Sequence, residues 1–194
     1  MATRINEFIS NIGQGVKPNM FLIDIQFPQP IKLGGEDQKL TNLLCKSAAL
    51  PGSNLGVIEV PFRGRTVKIA GDRTFDTWTA TFFNDKDFKL RSFFEQWANS
   101  INTHEGNTAP LFTPDNTNGY MADLGVNQLE KDASTEGAIL RKYSLKYCFP
   151  TNVSPIDLAY DSNDQIEEFT VEWQYSYFTA AAGTRDGVSS IGVE

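Results

Sequence analysis

The stretch 69–85, IAGDRTFDTWTATFFND, decides the fold. Trp78, Ala80 and Phe82 alternate with Thr77, Thr79 and Thr81. Large apolar side chains on one face and threonine on the other, at a period of two, is the pattern of a half-buried β-strand. The window therefore reads as one strand, entered through Gly71 and left through Asn84. At Asn84 the period lengthens to between three and four. Leu90, Phe94, Trp97 and Ile101 form an apolar stripe, while Lys86, Lys89, Arg91 and Glu95 take the wet side. That spacing predicts an amphipathic helix over residues 85–100, with Asn84 as N-cap and the acids Asp85 and Asp87 in a first turn that favours negative charge.

The same window sets two carboxylates around an arginine: Asp72, Arg73 and Asp76. A carboxylate pair doing acid–base chemistry needs a pocket and surroundings that push the two pKa values apart. Flanking an arginine at a strand entry, both stay ionised, and a guanidinium can bond a carboxylate with two parallel N–H groups. The expectation is a structural clasp of Gly71, Asp72, Arg73 and Asp76 that holds the strand's register or meets an adjacent subunit. Gly71 would supply a backbone shape that a side chain forbids.

Outward from this window the chain is rich in strands. MFLIDIQF alternates, with Phe21, Ile23, Ile25 and Phe27 on one face. KLTNLLCKSAALPG reads as a strand ending at Pro51-Gly52, and LGVIEVPFRGRTVKIAGD as two strands about a turn at Arg63-Gly64. In AILRKYSLKYCF, Ile139, Arg141, Tyr143, Leu145, Tyr147 and Phe149 share a face; in IEEFTVEWQYSYF, Phe169, Val171, Trp173, Tyr175 and Tyr177 do. Ile5, Phe8, Ile9 and Ile12 lie at helical spacing in a short lead. Residues 102–136 are rich in Asn, Thr, Gly and Pro and show little periodicity. So long a loop is uncommon in a compact domain, so short strands are hidden there or the segment orders against a neighbour. The pattern predicts a mainly β fold, an antiparallel sandwich or barrel with one flanking helix, as a single domain over 1–178. Residues 179–194 read as a flexible C-terminal tail.

Composition narrows the function classes. The chain has 194 residues, 40% hydrophobic and 21% charged, with 14 phenylalanines and a net charge of −7. One core of ordinary density fits that length. Acidity argues against tight binding of nucleic acid, which is won by neutralising phosphates. Cys45 and Cys148 sit in apolar runs far from CxxC spacing, which predicts buried free thiols and a reducing compartment of synthesis. The N-terminal residues lack the apolar core of a signal peptide, and no apolar run approaches the ~20 residues of a membrane span. The expectation is a soluble product of the cytoplasm with no membrane anchor.

No chemical motif stands out. His104, the sole histidine, lies in a polar loop without a nucleophile elbow. DSNDQ at 161–165 has the acids of a calcium loop but Ile166 where its glycine belongs, and reads as a turn stabilised by Asp and Asn side chains. DNTNG at 115–119 fails the same spacing. GQG at 13–15 lacks the third glycine and preceding strand of a dinucleotide site. The sequence points to no catalytic residue, no metal and no cofactor. A glycosidase built on a carboxylate pair is the alternative from another class.

CKSAALPG, then VPFRGRTVKIAGDRTFDTWTATFFNDKDFKLRSFFEQW, then PTNVSPIDLAYDSNDQIEEFTVEW resemble the tail tube proteins of contractile-tailed bacteriophages of the T-even kind. The resemblance runs with gaps from about Asn19 to Tyr177. The chain departs from it in Pro28 to Gln38, in Asn102 to Glu136 and beyond Phe178. It implies a β-sandwich with a flanking helix and a virion protein that pairs with itself. Six subunits would close into a ring, and rings would stack into the inner tail tube. Sheath, baseplate and tube-terminating proteins are its implied partners, and DNA would pass through the lumen unbound. A baseplate initiator or the tube of a phage-like secretion machine is the nearest alternative. Six copies at −7 each carry −42 per ring, which would repel DNA from the wall. Glu168 and Glu172, on the polar face of the last strand, are the expected lumen acids.

Overall fold

In the computed structural model, residues 2–13, 15–28, 31, 39, 41–111, 113–115, 119–130 and 139–182 are described. Two helices and nine strands follow in the order α1 (Ala2–Ile12), β1 (Phe21–Ile25), β2 (Cys45–Ala48), β3 (Asn54–Phe62), β4 (Arg65–Thr74), β5 (Trp78–Phe83), α2 (Lys89–Ile101), β6 (Ala122–Leu129), β7 (Ile139–Val153), β8 (Glu168–Gln174) and β9 (Tyr177–Ala182). Seven strands make a continuous antiparallel sheet, β1-β6-β7-β8-β5-β2, with β9 also paired to β7. The 15-residue β7 runs through both halves. Its first part lies between β6 and β9, and its last residues pair with β8. The sheet bends along β7 into an open sandwich whose apolar faces meet in one core.

That core is aromatic. Phe82 on β5 and Phe94 on α2 lie 5.4 Å apart by ring centroid, and each is within 6.1 Å of both Phe169 and Trp173 on β8. Trp78 packs on its cross-strand partner Trp173 at 5.0 Å. Tilted and edge-on contacts of this kind add to the burial of large rings. Leu90, Phe94 and Trp97 are the buried face of α2, as the stripe predicts. Trp97 donates its indole N–H to the Tyr120 carbonyl at 2.7 Å, tying the helix to the segment before β6.

Several expectations are corrected. The window 69–85 is two strands. β4 ends at Thr74 and β5 begins at Trp78, in different sheets. The helix starts at Lys89 rather than residue 85, and Asn84 is not its cap. Phe88 precedes it at φ 54°, and the Asp85 carboxylate accepts from the backbone N–H groups of Lys89 and Leu90, both at 3.1 Å. One carboxylate reaching back to two orphan donors does the work of an N-cap side chain. Within 41–48 only Cys45–Ala48 is strand; 41–43 is helical. Residues 122–129, in the segment without periodicity, form β6 between β1 and β7. Four successive residues there, Leu124 to Asn127, are buried, so no alternation was available to read. Thr179 to Ala182, expected in the tail, belong to β9, so the domain extends beyond 178; 183–194 lie outside the described residues.

The face predicted for β7 is broken as well. Leu145 and Cys148 are buried and Tyr147 is partly exposed. Tyr147 has φ 58°, and the register with β6 slips by one residue between Leu145 and Cys148. An extra residue in one strand reverses which side chains face the core beyond it. Next to this bulge Lys146 donates to the Asp123 carboxylate at 2.5 Å, and that bond raises the lysine's pKa. The stability it adds is complete below the ordinary lysine pKa and is lost as pH rises through the raised one.

Truncating Phe94, at the meeting point of the rings, should cost the unassembled protein about 3–5 kcal/mol. Urea unfolding of Phe94→Ala at sub-assembly concentration measures this; a loss below about 1 kcal/mol would mean the ring cluster is not the core's centre.

Candidate assembly surfaces

β3 and β4 pair only with each other and stand away from the sandwich as a ribbon about 30 Å long. A two-residue turn, Arg63-Gly64, closes it with φ of 45° and 81°. Both positive values match the turn whose twist suits paired strands. The register sets Ile58 opposite Ile69, Val60 opposite Val67 and Phe62 opposite Arg65. By alternation these lie on one face. Glu59 opposite Lys68 and Pro61 opposite Thr66 lie on the other, where Lys68 and Glu59 form an ion pair at 3.5 Å. The apolar face is bare: Ile58, Val60, Phe62, Val67 and Ile69 are 42–62% exposed. An isolated hairpin is marginal in water, and one with a bare apolar face calls for a partner.

The expected clasp sits at the foot of this ribbon, and the structure takes it apart. No hydrogen bond or ion pair joins Arg73 to Asp72 or Asp76 among the described residues. Asp76 instead accepts from the Asn54 amide at 2.6 Å, linking the two ends of the ribbon. Gly71 is needed for room rather than for backbone shape. A Cβ there would meet the Gly56 backbone at 3.2 Å, and one on Gly56 would meet Asp72 O at the same distance. The strands cross closely at this glycine pair, beside a register shift between Leu55 and Val57. The spacing could show the charges together but not that the register turns Asp76 toward Asn54.

Two further surfaces are open. In the half-sheet β1-β6-β7-β9 the outer strands are β1, paired with β6, and β9, paired with β7, among the described residues. The α1 stripe, Ile5, Phe8, Ile9 and Ile12, is more than half exposed.

Glu168 and Glu172 lie on the face of β8 turned from the core. Glu168 is held by Lys46 of β2 at 2.6 Å, the ammonium also lying 5.8 Å from the Phe83 ring centre. No local pattern signals this partner, because β2 reaches β8 only across β5. His104 borders a hollow of about 580 Å³ between α2 and residues 150–153, with Arg91, Glu95 and Asn99; neither Asp72 nor Asp76 lines it. Residues 159–164 make turns, with Asp164 at φ 60°. No three His, Cys, Asp or Glu among the described residues are grouped to hold a metal ion. Burial pushes the thiols of Cys45 and Cys148 up to about 12, far from a reactive thiolate. No described helix is long and apolar enough to cross a membrane.

Among the described residues, the ribbon's apolar face is bare and no group of three potential metal ligands occurs. The profile of the phage tail tube protein family matches residues 16–181. The chain belongs to the phage tail tube protein family. It is 34% identical over 166 residues to tail tube protein gp19 of Enterobacteria phage T4, covering 86% of this chain and 92% of the relative. The tail tube protein of Serratia phage KSP90 is 26% identical over 178 residues, 90% of this chain and 95% of the relative. Among solved structures, a chain of an extracellular contractile injection system's sheath–tube complex in the extended state superposes with TM-score 0.59. Its identity is 17%, over 89% of this chain and 97% of that one. A chain of the anti-feeding prophage baseplate gives 0.57 at 12% identity, over 86% and 94%. The protein is thus a structural tail tube component of a contractile phage tail, with the sandwich of that fold.

Since Arg73 has no hydrogen-bond or ion-pair partner among the described residues, Arg73→Ala should leave the unassembled protein within about 0.5 kcal/mol of the parent, while Gly71→Ala costs more by crowding Gly56. Thermal unfolding of both variants checks this; equal losses would restore an internal role for Arg73.

Proposed function

We propose that six copies close into a ring, that rings stack into the inner tube of the tail, and that DNA passes through the bore during delivery to the host. The observation that carries this reading is the half-sheet β1-β6-β7-β9. Its two outer strands lie at opposite margins of the protomer, so one copy's β9 can pair with the next copy's β1. A surface that meets a different surface on an identical neighbour gives a ring when the rotation closes. Such pairing also removes the hazard of open strand edges. Six-fold closure is supported by the family and by the six-fold symmetrised baseplate whose chain has the same fold.

The sheath is proposed to surround this tube, the baseplate to start it and a terminator to end it. The likeness to chains of a sheath–tube complex and of a sheath/tube terminator supports those partner types. The role is mechanical and not enzymatic, the virion tail is its location, and the host cytoplasm its place of synthesis. Gly71, Asp72, Arg73 and Asp76 are proposed to act between subunits at the ribbon's foot. An acidic bore would keep DNA from adhering, since each neutralised phosphate strengthens binding at low salt. Glu172 and Glu168 are the proposed bore acids, Glu168 with its charge partly offset by Lys46.

Negative-stain microscopy of the purified protein should show hollow filaments of stacked rings. Single particles at every concentration would contradict the tube reading and favour an initiator. Particles carrying Glu168→Lys and Glu172→Lys together should build tails and release DNA more slowly; unchanged release would remove these residues from the bore.

A further inference from the structure

Resting on the tube reading, we infer that Lys142 stands on the bore wall and is a phosphate contact for the passing DNA. Residues directly opposite in an antiparallel ladder point to the same side of the sheet. The register therefore sets Leu22, Asn127, Lys142 and Ala181 in one row across the four strands β1-β6-β7-β9. Asp24, Gly125, Ser144 and Thr179 make the next row. Their neighbours along the strands, Ile23, Val126, Leu145 and Phe178, belong to the core or pack against it, so both rows lie on the face turned from the core. A ring closed through β9 and β1 has one inner and one outer face. The core face of each copy carries α2 and the β5–β8 pair, and six such layers have room only outside. Four strands from each of six copies enclose about 45–50 Å between backbones at ordinary strand spacing and barrel tilt. In so wide a bore a duplex meets the wall on one side at a time.

The charges on this face of the four strands balance. Asp24 and Asp123 stand against Lys142 and Lys146. Lys146 is bonded to Asp123. Lys142 is exposed and takes part in no ion pair among the described residues. Asp24 is two strands and one row away from it. That is about 12 Å at standard strand spacings, more than the screening length of about 8 Å at physiological salt. The lysine is therefore a local cation on a wall without net charge. In the next row Ser144 and Thr179 bring hydroxyls, which also bond phosphate oxygens. Six copies would set six such cations around each ring. With the duplex on one side of the bore, few of them reach phosphates together, so DNA is checked in passing rather than held. Glu168 and Glu172 belong to β8, outside the four closing strands, and acidity in the bore would rest on them.

Thiol accessibility tests the placement, and duplex retention tests the contact. In dispersed Lys142→Cys protein the new thiol should react both with a small maleimide and with a maleimide on a polymer too wide for the bore. In filaments it should keep the first reaction and lose nearly all of the second, with parent filaments giving the background. Filaments that react with the wide reagent as fast as dispersed protein put Lys142 on the outside and overturn the inference. Loss of both reactions buries it between copies and overturns the inference as well. Parent filaments soaked in a short labelled duplex at low salt should retain it, and Lys142→Glu filaments should retain several-fold less. Added salt should erase the difference, because each phosphate contact contributes a slope of about 0.9 in log affinity against log salt. Equal retention at low salt removes the DNA contact. Parent protein that never forms filaments contradicts the tube reading itself.

Discussion

Backbone hydrogen-bonding groups at a sheet margin must find partners, and in the proposed tube other copies would meet part of that demand. The continuous strand β7 gathers β6, β8 and β9 around itself, and the sheet bends along it into a sandwich filled by Phe82, Phe94, Phe169 and Trp173. What the core does not cover is specific: the outer strands β1 and β9, the apolar face of the ribbon, and the stripe of α1. Each is a kind of surface that a lone globule would hide.

The division of labour follows from geometry. The half-sheet bounded by β1 and β9 offers lateral pairing. The β3–β4 ribbon stands apart from it with a bare apolar face. In the proposed tube, lateral and axial contacts would use different parts of the molecule. Burial holds the two thiols protonated; of the carboxylates weighed for acid–base chemistry Asp76 bonds Asn54, while Asp85 serves the start of α2 and Glu168 pairs with Lys46.

Where the chain obeys a simple period, its structure was legible. Phe21 to Ile25, Trp78 to Phe82 and the α2 stripe behave as their spacing demands, and the Arg63-Gly64 turn falls where two strands had to reverse. The failures share a cause, which is that context outweighed local pattern. β6 is buried at four consecutive positions and so shows no alternation. β7 changes face at the Tyr147 bulge, which no composition announces. Thr179 to Ala182 look like a tail because alanine is a poor strand former, yet β7 supplies the ladder that holds them. The charged window was legible as a cluster but not as a geometry. The register of β3 with β4 brings Asp76 to Asn54, while Arg73 bonds neither Asp72 nor Asp76. The family likeness carried the function; the residues alone reached only a self-pairing β subunit.

Hydrogen–deuterium exchange, compared between dispersed protein and filaments, tests the central claim most directly. If the margins of one copy are completed by the next, amides in Phe21–Ile23, in Tyr177–Ala182 and along the ribbon 54–74 should exchange markedly more slowly in filaments, while the core of β5 and β8 changes little. Filaments in which those margins exchange as fast as in the dispersed protein would contradict the account.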